Sequence, residues 1–215
     1  MLIINRIVTR SNSMNYPDFF NEVEAIELQD PLSDFLGVFR DGKVTITYLD
    51  CVKLAGHSCP TVAGAYLMTL QALKKLYPDG LPQRSSIQVD MRDAKEQGVT
   101  GVIATVISYI VGASDEGGFK GIKGKMSRKN LLGYDANIKR EVALTRLDTG
   151  ASIEIDYDPS VIAGEPQMQL LMGKMVQNIA TAEEKILFGT LWQERVKKIL
   201  LSKEKWDEMI RISEK

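Results

Sequence analysis

The chain has 215 residues, 44% of them apolar, and 27 basic side chains against 28 acidic ones, for a net charge of −1. That length can bury a full core and fits one domain with an appendage, while the balanced charge supplies no global field to attract nucleic acid or an acidic membrane surface. Two cysteines are too few for a disulfide framework, no apolar run reaches the ~18 residues of a membrane span, and the interrupted stretch Met1–Arg10 is too short for an export signal. The expectation is a soluble cytoplasmic protein with no nucleic-acid or membrane partner.

Residues 19–37 carry a weak helical pattern (Phe19, Phe20, Val23, Ile26, Leu32, Phe35, Leu36), with Pro17 and Pro31 as helix-start residues. Asp41-Gly42 is a hairpin-turn signal, and the alternating, β-branched run from Lys43 to Leu49 predicts a strand. A loop follows, then a helix from Pro60 to about Tyr77, stopped by Pro78-Asp79-Gly80. Ser86–Asp90 predicts a short strand, and the apolar run Val99–Val111 a buried helix opening at Thr100-Gly101. Gly112 to Gly124 holds five glycines and predicts a loop.

Two more strands, Glu141–Leu147 and Ala151–Tyr157, are expected around a tight turn at Asp148-Thr149-Gly150. From about Glu165 onward Leu187, Leu191, Val196, Ile199, Leu200, Trp206, Met209 and Ile210 recur at helical spacing. The pattern predicts an α+β fold with a mixed sheet, residues 1–160 as the domain and 161–215 as a helical extension on the same core. The stripe and its two tryptophans, Trp192 and Trp206, predict a homodimer through the C-terminal helix.

The chemistry concentrates in one short segment. The single histidine, His57, lies two residues from Cys59 and six from Cys51, the only two cysteines. Imidazole and thiolate are the side chains that best bind zinc-class ions and most readily do nucleophilic or acid–base work. Pro60 suits the first helical position, which makes Cys59 the expected N-cap, where the free amides and the helix dipole favour a thiolate. Gly56 allows a sharp turn that would let His57 and Cys59 face one space, and Ala63-Gly64-Ala65 keeps the helix thin enough to approach a sheet or a partner chain. The plain alternative is a helix start with a small buried cysteine.

Gly56-His57-Ser58-Cys59-Pro60 followed by Gly64 resembles the His-Gly-His-x-Cys-Pro-Gly signature of the FmdE-like family, associated with formylmethanofuran dehydrogenase. Val111-Gly112-Ala113-Ser114 resembles that family's Thr-Gly-Cys-Thr segment, and the likeness extends over about residues 45–160. It implies an α+β domain of the type shared with the catalytic domain of glyceraldehyde-3-phosphate dehydrogenase, a zinc-type metal at the motif, and often a dimer. The chain departs from the family in three places. Ala55 stands where the family has its first histidine, the second-region cysteine has no counterpart near Asp90 or Asp93, and the zinc-ribbon cysteines of many members are missing. Cys51 is then the compensating ligand, and His57, Cys59 and Cys51 would form a three-ligand site for zinc or another divalent transition metal, open at one position as catalytic or exchangeable sites are.

Asp50, Asp90, Asp93, Asp115 and Glu116 are further candidate ligands, each read first as a solvated carboxylate, with Asp115-Glu116 favoured by its glycine-rich loop. Lys120, Lys123, Lys125, Arg128 and Lys129 make that loop basic, so a small anionic ligand is a possible partner. No Walker or Rossmann spacing supports a nucleotide. Three functions follow: a metal-binding accessory protein, which the motif favours; an enzyme using Cys59 as nucleophile or a metal-activated water; or a structural domain whose motif caps a helix.

Overall fold

The computed structural model describes residues 15–214, so the Met1–Arg10 segment lies outside the described residues. The chain is a mixed α+β structure. Its main sheet has the order β4-β3-β5-β6-β7, built from β3 (Ile87–Met91), β4 (Leu132–Gly133), β5 (Val142–Arg146), β6 (Ser152–Tyr157) and β7 (Ile210–Glu214). The β3–β4 pair is parallel and the other neighbours are antiparallel. Strands β1 (Ile26–Gln29) and β2 (Lys43–Ile46) form a separate antiparallel ribbon. No helix among the described residues is long and apolar enough to cross a membrane.

Local chemistry decides each element. In the 19–37 region Asp18–Glu22 is a 3-10 turn, β1 follows, and helix α1 (Pro31–Phe35) begins at Pro31, with the Asp30 carboxylate accepting from the amides of Leu32 and Ser33. The expected single helix is thus three elements, because Ile26 and Leu28 are buried with period two across β2. Strand β2 stops at Ile46, short of the expected Leu49. Thr47 and Asp50 close a reciprocal capping box, which starts helix α2 (Tyr48–Ala55) where a loop was expected.

Helix α3 (Pro60–Leu76) lies where expected. The thinness of Ala63-Gly64-Ala65 is spent inside the chain: all three are buried, and a Cβ on Gly64 would overlap the ring of Tyr157 on β6. A partner chain therefore does not reach that face. Helix α4 (Thr100–Val111) and the β5–β6 hairpin, with Gly150 at φ 76°, also match the expectations.

After α5 (Gln167–Val176), α6 (Ala182–Leu201) and α7 (Trp206–Met209), the extension ends in β7 rather than in helix. Ile210 and Ile212 pair across the sheet edge with Tyr157 and Ile155. Val196, Ile199 and Leu200 of α6 join the same core as α3, α4 and the main sheet.

Candidate functional site

The link between α2 and α3 is a tight turn. Gly56 ends α2 in the left-handed region, at φ 76°, and its amide bonds back to Val52. Cys59 is the N-cap of α3, its Sγ accepting from the Val62 amide at 3.4 Å. Two residues of helix α6, which nothing in the motif foretold, clamp the link. The Trp192 indole donates to the Ser58 carbonyl at 2.9 Å, and the Gln193 amide oxygen accepts from the Ser58 hydroxyl at 3.1 Å. Tyr48 shares that hydroxyl at 2.9 Å, and the Tyr157 hydroxyl donates to the Pro60 carbonyl at 3.0 Å. Burial pushes the Tyr48 and Tyr157 phenols up, so they stay neutral donors.

His57 and Cys59 leave this turn in different directions. Cys59 is 9% exposed and packs in the core, whereas His57 is exposed, its Nδ1 2.9 Å from the Ala55 carbonyl. Cys51 is fully buried in α2, and burial pushes its thiol up to about 12. Among the described residues, no group of three His, Cys, Asp or Glu side chains is placed to hold a metal ion. The shared space expected for His57 and Cys59 is therefore not formed.

His57 lines a cleft of about 360 Å³ together with Leu54, Ala55, Lys95, Val102 and Thr105. Leu54, Lys95 and Thr105 also line an adjoining cleft of about 410 Å³, whose other walls include Arg84, Ser108, Tyr109, Ala113, Arg128 and Tyr134. Cys59 lines neither. Ala113 lines the larger of these spaces and Ala55 the smaller.

Behind the larger cleft sits Asp30, fully buried and shared by two guanidinium groups, Arg84 at 2.9 Å and Arg128 at 2.7 Å. Burial alone would raise its carboxyl, but the Ser33 amide, Arg128 and Arg84 together hold it below the ordinary carboxylate range. Arg84 also donates from Nε and Nη2 to the carbonyls of Ile110 and Tyr109 at the C-terminal end of α4, which fixes its guanidinium beside the cleft. Two cations on one carboxylate leave a positive excess at the floor, while at the rim the ammonium of Lys95, 5.9 Å from the Tyr134 ring centre, faces the Asp115 carboxylate.

Among the described residues, the buried Ser108 hydroxyl and the Arg128 Nε beside this cleft have no hydrogen-bond partner.

The basic loop divides. Arg128 turns inward to this cleft, while Lys120, Lys123 and Lys125 are exposed. Asp115 lines the cleft, 3.9 Å from Lys95, and its carboxylate caps its own turn at the Gly117 amide. Asp50 is spent on the α2 cap, Asp90 accepts from Gln88, Asp93 pairs with Arg92, and Glu116 is exposed. The chain matches no protein-family model and no curated protein.

Proposed function

We propose that the protein is a ligand-binding domain that holds a small anion, bearing a phosphate or carboxylate group, in the cleft walled by Arg84, Lys95 and Arg128. One observation carries this: Arg84, Lys95 and Arg128 line a space of about 410 Å³ whose neighbouring carboxylates, Asp30 behind it and Asp115 on its wall, leave one cation in excess. An oxyanion in the cleft would pair with the cation in excess through charge-assisted contacts. Tyr109 and Tyr134 supply apolar walls for the body of the ligand. The Gly-His-x-Cys-Pro signature supports kinship with the FmdE-like family and its fold, and an accessory rather than a self-sufficient catalytic role. The two free cysteines fit a reducing, cytoplasmic compartment.

The test uses inorganic phosphate and malonate as probes, with calorimetric titration. Wild-type protein is expected to bind at least one of them, and Lys95→Glu, at an exposed side chain, to weaken binding by at least tenfold with an unchanged fold. Equal affinity in the variant, or no binding of either probe by the wild type, overturns the proposal.

A second reading rests on the Nδ1 contact of His57 with the Ala55 carbonyl. That bond, made with Nδ1 protonated, leaves Nε2 as the open acceptor, the arrangement that metal-ligating histidines use. Here His57 would anchor a zinc-class ion with Cys59 and Cys51 after rearrangement of the turn. Elemental analysis of untagged protein is expected to find about one ion per chain, lost in His57→Ala and in Cys59→Ser. Full occupancy in both variants ends this reading.

A further inference from the structure

Helix α4 buries one face in the core and leaves the other open, yet from Thr100 to Val111 it carries no charged side chain. A helix open to water ordinarily carries charged residues on that side, so an uncharged face is suited to contact with an apolar body. The two clefts lie along this face. Gly101 and Val102 line the smaller, Ser108, Tyr109 and the C-cap Gly112 line the larger, and Thr105 lines both. Positions three and four apart share one side of a helix, so the clefts follow each other as one groove about 16 Å long. Leu54 and Lys95 also border both halves.

The groove differs at its two ends. Arg84 and Arg128 stand at the Gly112 end, where Arg84 is fixed to the carbonyls of Tyr109 and Ile110, and their charge exceeds that of Asp30. Towards Gly101 the lining is Leu54, Ala55, His57 and Val102, with no arginine. Leu54 is 42% exposed and is not among the residues of the core, so its side chain is open to a ligand. Each half has the size of a small-molecule site, about 410 Å³ and 360 Å³.

We infer that the groove takes an amphiphilic anion, a phosphate or carboxylate group on an unbranched apolar chain, with the head at the arginine end and the chain running along α4 past Thr105 towards Val102. This rests on the anion site proposed above and adds the body of the ligand and its direction. Charge decides the direction. A chain laid at the arginine end would cover cations without giving them a partner, and a head at the other end would set an oxyanion against Leu54 and Val102. The same excess of positive charge turns away a cationic amphiphile. Along the chain, Thr105 and Gly101 leave room close to the helix, and Leu54 and the methylene stem of Lys95 supply apolar contact.

Calorimetric titration of the full chain tests the inference, with inorganic phosphate and with butyl, hexyl and octyl phosphate, each kept below its micelle-forming concentration. Affinity is expected to rise by about two- to fourfold per methylene from butyl to octyl, as partial to full burial of each methylene gives. Thr105→Trp, at an exposed side chain, fills the groove where its halves meet. Inorganic phosphate is expected to bind this variant as it binds the wild type, while the gain of octyl over butyl falls at least threefold. Should Thr105→Trp lose the wild-type circular dichroism, Leu54→Gln carries the same expectation. Phosphate binding with a flat length series overturns this inference and leaves the anion site standing, whereas no binding by any member overturns both. A gain that survives the substitution overturns the groove. So does binding to phosphatidic acid vesicles without binding of free octyl phosphate, which would assign the head group to a lipid surface.

Discussion

Helices α3 and α6 are both introduced by a capping side chain and both carry a long apolar stripe, yet α3 buries twelve of its seventeen residues and α6 only three of twenty. The difference lies in what surrounds them. Helix α3 is enclosed by α2, α4, α6 and the main sheet, so small residues are needed where it is pressed closest. Helix α6 meets that core with its last turns and holds the Ser58 carbonyl and hydroxyl through Trp192 and Gln193 midway along. Its first turns extend past the core. An apolar stripe of helical period therefore shows which face seeks cover, and leaves open what covers it.

Substitutions in the two regions should separate them sharply. The largest effect is expected at Asp30, buried behind the cleft among the groups that close the interior. Asp30→Ala leaves Arg84 and Arg128 without their shared carboxylate and should cost about 3–5 kcal/mol in urea unfolding. The same residue sets an acid limb. Its carboxyl is held below the ordinary value, so its contribution is full above the unfolded pKa of about 3.9 and is lost as pH falls through the lower folded value. In the Asp30→Ala protein that part of the pH dependence should disappear. An unchanged acid limb would show that Asp30 does not carry it.

The paired glycines come next. Gly64→Ala in α3 drives a methyl group into the Tyr157 ring and should destabilise by about 1–3 kcal/mol. Gly189→Ala in α6 meets open space and should stabilise by up to about 1 kcal/mol, the helix preference of alanine over glycine. Opposite signs in parallel urea titrations support the comparison. Equal signs would mean that α6 is as enclosed as α3.

Much of the helical framework was legible from residue order alone. Pro31 and Pro60 mark true helix starts, Cys59 is the N-cap it was expected to be, and the Val99–Val111 run is a buried helix. The misses have a common cause. Strand β1 is only four residues long and its partner lies fourteen or more residues away, so no local pattern reveals it. Strand β7 continues directly from a helical stripe and becomes a strand by pairing with β6. For the site, Arg128 stands out among the loop cations, but Arg84 and Lys95 sit outside any motif.

By itself, then, the sequence determined where α1, α3 and α4 begin, which segments are apolar enough to be buried, and that the reactive side chains lie within nine residues of one another. Those properties follow from backbone capping and periodicity, which act over a few residues. Only the tertiary structure decided that Cys51 and Cys59 turn inward while His57 turns out, and that Asp30 gathers two arginines 54 and 98 residues away. Such groupings arise because a buried carboxylate must find cations wherever the fold brings them, and no spacing along the chain encodes that encounter.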